Sequence, residues 1–200
     1  MEYEKAGLLH EQFVRSAERT PDKLAVVSPE ENLTATFSEL NTWTNTLAVK
    51  LQAMGVWAMT PVAIFVEKGM NFVASYIAIL RAGGGYLPIE PSFPEHMLEL
   101  VLEDSQPAVV ITSPELAPRV HNYPSEKILV LEAGWQHYLA KENAEKDLEL
   151  KKPPLTLDSL AFVAYSSGTT GKPKGILNHL DIDKAQHLQV MEITHSVVDY

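Results

Sequence analysis

The chain contains no cysteine among its 200 residues. Disulfide bonds and thiol chemistry are therefore excluded, and with them a secreted scaffold that depends on disulfides. The first residues do not form a basic segment followed by an apolar one, so the sequence predicts no signal peptide. Together these features favour a cytoplasmic location.

Long apolar runs and an excess of positive charge are missing as well. The longest apolar run, from Phe72 to Leu80, is interrupted by Ser75 and is too short to cross a bilayer. Acidic residues number 26 and basic residues 16, which gives a formal net charge of −10. Because a net acidic chain does not attract polyanions, we expect neither nucleic acid nor a membrane as a partner.

The composition that remains is that of a folded globular domain, with 46% hydrophobic and 21% charged residues. Short apolar segments alternate with segments of helical spacing, which predicts an α/β fold, a layered sheet with flanking helices. Ser38 is expected to cap the second helix, and residues 141–154 to form an exposed charged loop. The expected strands cover residues 24–28, 33–37, 62–66, 86–89, 108–112, 128–131 and 160–164, and later helices cover 71–82, 95–104 and 135–141.

Three consecutive glycines, Gly83 to Gly85, raise the question of a dinucleotide-binding loop. That fingerprint requires Gly-x-Gly-x-x-Gly between a strand and a helix. Here the glycines follow a predicted helix and precede a predicted strand, which is the reverse order. We therefore expect them to end the helix and to permit a tight chain crossing.

Residues 165–175 carry the most specific pattern and read Tyr-Ser-Ser-Gly-Thr-Thr-Gly-Lys-Pro-Lys-Gly. They follow the apolar segment 160–164, so a strand leads directly into the loop. Glycines let successive backbone N–H groups line an anion-binding concavity, hydroxyls add neutral donors, and lysines add positive charge. The pattern predicts a phosphate-binding loop. Its candidate binding residues are Ser166, Ser167, Gly168, Thr169, Thr170, Gly171, Lys172 and Lys174.

Two other interpretations of this loop are weaker. An ordinary Ser/Gly surface loop would not need this combination of glycines, hydroxyls and lysines in eleven residues. A Walker A loop would need glycine at the position of Ser166 and Ser or Thr at the position of Pro173. The loop is therefore not a Walker A loop.

Residues 165–175 resemble the phosphate-loop signature of the adenylate-forming (AMP-binding) superfamily. That superfamily includes acyl-CoA synthetases, luciferases and the adenylation domains of nonribosomal peptide synthetases. Residues 9–13, 19–22 and 80–91 are similar to the peptide-synthetase branch, the last of them reading LRAGGGYLPIEP. The chain thus resembles an amino-acid adenylation domain of the nonribosomal-peptide-synthetase type over about residues 8–179.

The resemblance implies ATP-dependent activation of a carboxylate, expected to be an amino acid, as an acyl-adenylate with release of pyrophosphate. It implies ATP and Mg²⁺ as bound species. A phosphopantetheine group on a carrier domain outside this chain is implied as the downstream acceptor, which makes a carrier protein a possible partner. No residue here matches the family's catalytic lysine, so no catalytic residue is predicted.

Members of this family are considerably longer than 200 residues. The expected organisation is an N-terminal portion of an adenylation domain over residues 1–179, supplying only the phosphate-loop half of the site, followed by a divergent tail at 180–200. The alternative is a truncated, catalytically inactive chain that acts as a nucleotide-binding or partner-binding module. In either case a partial sheet is expected to leave apolar surface and a strand edge exposed.

The tail, together with His179 before it, contains histidines and aspartates in a pattern that invites a metal-site interpretation. His179, His187 and His195 are spaced by eight residues, and Asp181 and Asp183 lie between the first two. An eight-residue spacing does not stack side chains on one face of a helix. We therefore predict no metal site in this chain.

Overall fold

Helices and strands alternate along residues 8–29, 31–166 and 174–180, the part of the chain that this computed structural model describes. The alternation agrees with the α/β fold predicted from the sequence. The helices are α1 (Leu9–Arg19), α2 (Phe37–Ala53), α3 (Met70–Ala82), α4 (Glu95–Ser105) and α5 (Trp135–Glu145). The strands are β1 (Leu24–Ser28), β2 (Leu33–Thr36), β3 (Pro61–Phe65), β4 (Gly85–Pro88), β5 (Val109–Thr112), β6 (Ile128–Val130), β7 (Leu160–Ser166) and β8 (Lys174–His179).

Six of these strands form the main sheet, in the spatial order β6-β5-β3-β4-β7-β8. Neighbours from β6 to β7 run parallel, whereas β8 runs antiparallel to β7. The remaining two strands, β1 and β2, form the predicted antiparallel hairpin. The parallel part is connected through helices, as parallel strands require.

The sheet is covered on both faces, which is visible in the alternation along β3. Val62 and Ile64 belong to the apolar cluster formed with α2, α3 and α5. Ala63 and Phe65 belong to the cluster formed with α4 on the other face. Because successive side chains of a strand point to opposite faces, one strand contributes to both cores. A central strand buried on both sides therefore reads as a continuous apolar run.

Helix α2 begins earlier than the sequence analysis predicted, so the assignment of Ser38 as its cap is wrong. The cap is Thr36, whose Oγ1 accepts a hydrogen bond from the N–H of Glu39 at 3.2 Å. In return the Glu39 carboxylate accepts from the Thr36 N–H at 2.8 Å. This reciprocal pair is a capping box, which satisfies two backbone donors at once and outcompetes a cap two residues later.

Helix α5 extends to Glu145, so the predicted loop at 141–154 is wrong for its first residues. Glu142 explains the extension, since its carboxylate lies 2.8 Å from Lys50 Nζ and 2.7 Å from Lys146 Nζ. Next to it on the same helix, Asn143 donates to the Thr46 carbonyl at 3.0 Å. The contacts with Lys50 and Thr46 join α5 to α2, and together with the Lys146 pair they stabilise a last turn that propensity alone leaves undecided.

The glycine triplet has the role predicted for it. Gly83 ends α3 with φ +102°, a left-handed conformation that favours glycine. A Cβ added at Gly85 would lie 2.3 Å from Leu160 Cγ, far inside van der Waals contact. Glycine therefore permits β4 and β7 to approach at this crossing. Across the described segments, no helix is long and apolar enough to cross a membrane.

Candidate functional site

The candidate phosphate loop connects β7 to β8 in an antiparallel hairpin. Ser166, the last residue of β7, pairs in register with Lys174, the first residue of β8. The structure thus brings together the backbones of the first and last predicted site residues. The other predicted site residues, Ser167, Gly168, Thr169, Thr170, Gly171 and Lys172, lie outside the described residues.

Strand β7 is held in the sheet by aromatic packing as well as by backbone pairing. The rings of Phe162 and Tyr86 stack with their centroids 5.4 Å apart, and Tyr76 of α3 lies 5.7 Å from Tyr86. Burial raises the pKa of Tyr76 to about 12 and also raises that of Tyr86, so both phenols stay neutral. Strand β7 of the hairpin is therefore connected through a chain of packed aromatic rings to β4 and α3.

The far end of the hairpin is fastened back to the start of β7. The N–H of Leu180 donates to the Ser159 carbonyl at 2.9 Å. The Nδ1 of His179 lies 2.6 Å from the Asp158 carbonyl, to which it donates. His179 is thus engaged in the hairpin, whereas the other residues of the rejected metal pattern, Asp181, Asp183, His187 and His195, lie outside the described residues.

At the base of the loop, the ring of Tyr165 is fixed from two sides. Its hydroxyl donates to the Asp104 carboxylate of α4 at 2.6 Å. Across the hairpin, Tyr165 pairs with Gly175, where an added Cβ would lie 3.1 Å from the ring. Sequence reasoning missed Asp104, because its only signal is an acidic residue near the end of a helix. Tyr165 stands in the quoted motif but carries no phosphate-binding chemistry of its own.

The charge at the described end of the loop suits an anion. Lys174 is exposed and forms no ion pair with any residue that the structure describes. In a chain with a net charge of −10, an exposed lysine beside a glycine-rich loop is a local positive site. Within the same described segments, no group of three or more His, Asp or Glu side chains could hold a metal ion.

A separate cleft of about 320 Å³ lies beside the start of α1 and includes no residue of the hairpin. Its wall contains His10, whose Nδ1 is buried without a hydrogen-bond partner among the described residues. Burial lowers the pKa of His10 from 6.5 to about 4. Glu11 opposes this shift, and the positive charges of Arg81 and Lys152 reinforce it. His10 is therefore neutral at physiological pH, as a packed core histidine would be.

Comparison with known sequences identifies one protein family, and relatives that are much longer than this chain. The AMP-binding enzyme family matches residues 13–182 of this chain. Bacitracin synthase 3 of Bacillus licheniformis is 38% identical over 170 residues, which cover 84% of this chain and 2% of that protein. Tyrocidine synthase 1 of Brevibacillus parabrevis is 36% identical over 186 residues, which cover 92% of this chain and 16% of that protein. The chain thus spans a small part of the curated relatives it matches.

Comparison with solved structures shows the same fold at low sequence identity. The fatty acyl-adenylate ligase from L. pneumophila, solved in complex with acyl adenylate and pyrophosphate, has a TM-score of 0.74 at 20% identity. The match covers 91% of this chain and 32% of that one. At this identity the likeness establishes the layered fold alone.

Proposed function

Because this chain belongs to the AMP-binding enzyme family, we propose that it serves the ATP-dependent activation of a carboxylate as an acyl-adenylate, with release of pyrophosphate. The observation that carries the proposal is the β7–β8 hairpin, which presents Ser166 and Lys174 at the two ends of a loop with the composition of a phosphate site. The match of residues 13–182 to the AMP-binding enzyme family supports this reaction class.

The chemistry explains the residue types in the loop. When the carboxylate oxygen attacks the α-phosphorus, the bond to the β-phosphate oxygen breaks and negative charge develops on the departing pyrophosphate. We assign Lys174, together with Lys172 and the hydroxyls of Ser166, Ser167, Thr169 and Thr170, to that polyphosphate. Gly168 and Gly171 supply backbone N–H donors with no side chain in the way. Donors already oriented toward developing charge stabilise it without reorganisation. Mg²⁺ bound to ATP supplies further neutralisation of the phosphate charge.

We propose an amino acid as the carboxylate and a phosphopantetheine-bearing carrier domain as the downstream acceptor. The support is the similarity to bacitracin synthase 3 and tyrocidine synthase 1. In this proposal residues 1–179 supply the phosphate-loop half of the site, and residues 180–200 stay predicted as a divergent tail. No residue of this chain is assigned to contact with the amino acid or the carrier.

A second candidate function is that of a nucleotide-binding or partner-binding module without catalysis. Strand β8 favours it, because Ile176 and Leu177 are 49% and 62% exposed on neighbouring positions that face opposite sides of the sheet. Among the described strands, β8 pairs only with β7. An edge strand with exposed apolar side chains is a surface that another strand or chain can cover.

The first test is a thermal melt of the full 200-residue chain with and without MgATP. Binding to the folded state raises its stability by about 2.7 kcal/mol at a hundredfold excess over the Kd, so Tm rises. Lys174→Ala and Gly171→Ala should lose most of that rise, because they remove the cation or the nest. Lys127→Ala is the matched control, since Lys127 is exposed and also outside the ion pairs of the described residues.

ATP–pyrophosphate exchange with a panel of amino acids separates the two candidates. Exchange that depends on one amino acid and is lost in Lys174→Ala supports activation of that acid. A Tm rise with MgATP but no exchange supports the nucleotide-binding module. A Tm that does not change at any MgATP concentration contradicts the role assigned to the loop.

A further inference from the structure

Tyr165 connects the candidate phosphate loop to a helix far away in the sequence. It is the first residue of the loop motif and precedes Ser166, the first candidate binding residue. Its hydroxyl donates to Asp104 Oδ2 at 2.6 Å across a sequence separation of 61 residues. Tyr165 also packs against the apolar cluster that α4 forms with the sheet. The contact therefore joins the base of the hairpin to the helical layer on that face.

The opposite strand limits the ring from its other side. Gly175 is the register partner of Tyr165, and an added Cβ there would lie 3.1 Å from Tyr165 Cζ and 3.2 Å from its hydroxyl oxygen. The next register pair toward the loop is Ser166 with Lys174. The ring therefore lies close to Gly175, one register pair away from both described ends of the loop.

We propose that Tyr165 and Asp104 form a positioning pair, which holds the two ends of the loop in the arrangement that binds polyphosphate. This inference rests on the proposed function of the hairpin. Neither residue touches the nucleotide in this proposal. They act through Ser166 and Lys174, and their effect is on affinity for the polyphosphate and on the order of the hairpin.

The hydroxyl of Tyr165 is suited to a permanent donor role. Burial and the neighbouring Asp104 raise the pKa of Tyr165 to about 12, so the phenol stays protonated throughout the physiological range. A hydrogen bond to a carboxylate is stronger than one between neutral groups. The pair is partly open to solvent, which keeps its contribution modest.

The test measures the affinity of the full 200-residue chain for MgATP and for pyrophosphate in four variants. Tyr165→Phe and Asp104→Leu remove the bond, and each should weaken binding about two- to tenfold, as expected for one hydrogen bond. Asp104→Asn keeps an acceptor oxygen and should restore most of the affinity. Tyr123→Phe is the matched control. Tyr123 packs against the same apolar cluster, and its hydroxyl donates to the Pro107 carbonyl.

A merely structural role would lower Tm in the absence of nucleotide, whereas a positioning role leaves Tm nearly unchanged and moves affinity. Equal affinity in Tyr165→Phe and Tyr123→Phe overturns the inference. So does a loss of affinity that simply follows a loss of Tm, or a failure of Asp104→Asn to recover what Asp104→Leu loses.

Amide hydrogen exchange of the nucleotide-free chain separates this inference from the proposed function. Tyr165→Phe and Asp104→Leu should speed exchange at residues 165–176, and Tyr123→Phe should not. Faster exchange in a chain that binds neither MgATP nor pyrophosphate contradicts the proposed function and confines the pair to bracing the hairpin. Unchanged exchange in Tyr165→Phe and Asp104→Leu contradicts the positioning pair, whether or not the chain binds nucleotide.

Discussion

The carboxylate of Glu31, in the turn between β1 and β2, accepts a hydrogen bond from the backbone N–H of Met70 at 2.7 Å. Met70 is the first residue of α3, so this carboxylate satisfies a backbone donor that the helix cannot pair internally. Its negative charge also suits the positive end of the helix dipole. The peripheral hairpin thus caps a helix that packs on the main sheet.

Removing this cap should destabilise the chain. We expect Glu31→Ala to lower the free energy of unfolding by about 0.5–2 kcal/mol, the usual cost of losing an N-terminal cap. Gly69→Ala should cost a similar amount, because its Cβ would lie 2.6 Å from the Glu31 carboxylate and displace it. The measurement is urea unfolding of both variants and of the double variant. Both changes remove the same hydrogen bond, so their effects on the free energy of unfolding should not add. Full additivity would show that Glu31 and Gly69 act independently.

The crossing of β4 and β7 should not tolerate a larger residue. Gly85→Ala places a methyl group 2.3 Å from Leu160 Cγ, so we expect a loss of about 2–3 kcal/mol in unfolding free energy from overpacking. Leu160→Ala alone also destabilises, because it empties part of a buried site. The measurement is chemical denaturation of the double variant, which should be more stable than the sum of the two losses predicts. A simple sum would mean that the two side chains do not compete for this space.

His10 should make stability depend on pH. The pKa of His10 is about 4 in the folded chain and 6.5 in the unfolded chain, so the unfolded state binds the additional proton between these values. Stability is therefore full above about pH 6.5 and falls as the pH drops toward 4. We expect a loss of about 1 kcal/mol between pH 7 and 5, after a discount for partial solvent access.

The difference between variants isolates this effect from other titrating groups. The unfolding free energy of His10→Asn should fall less than that of the parent chain between pH 7 and 5. His96→Asn, at an exposed position, should follow the parent chain. A His10→Asn profile parallel to the parent profile would show that His10 does not carry the dependence.

Much of this fold could be predicted from local pattern. The apolar run at 62–66 and the helical spacing at 71–82 lie within one residue of β3 and α3 as the structure has them. These segments are buried, so the spacing of their apolar residues directly indicates which positions face the core. Helix ends were predicted less well. Ser38 carries an equivalent hydroxyl, but the spacing Thr36-x-x-Glu39 is that of a capping box and favours Thr36, whereas the third residue after Ser38 is Asn41.

The support of the candidate site was not predictable from local pattern. Strand β8 was not predicted, since Lys174 to His179 show no clear alternation and its pairing with β7 decides the conformation. The contact between Tyr165 and Asp104 joins residues that no local rule relates. The binding loop itself is the reverse case, because its chemistry is written in adjacent residues. Local pattern therefore points to candidate ligand-binding groups more readily than to the residues that pack beneath them.

The pairing of Tyr86 with Phe162 joins β4 to β7 across the longest sequence separation between neighbouring strands of the described sheet. Closing so long a segment costs more chain entropy than closing the shorter connections among β3, β4, β5 and β6. The hairpin should therefore add late to a nucleus that the earlier strands have already formed. In refolding kinetics, MgATP should then leave the rate of the first folding phase unchanged and should lower the unfolding rate of the folded chain. Nucleotide binding would thus report the last step of folding.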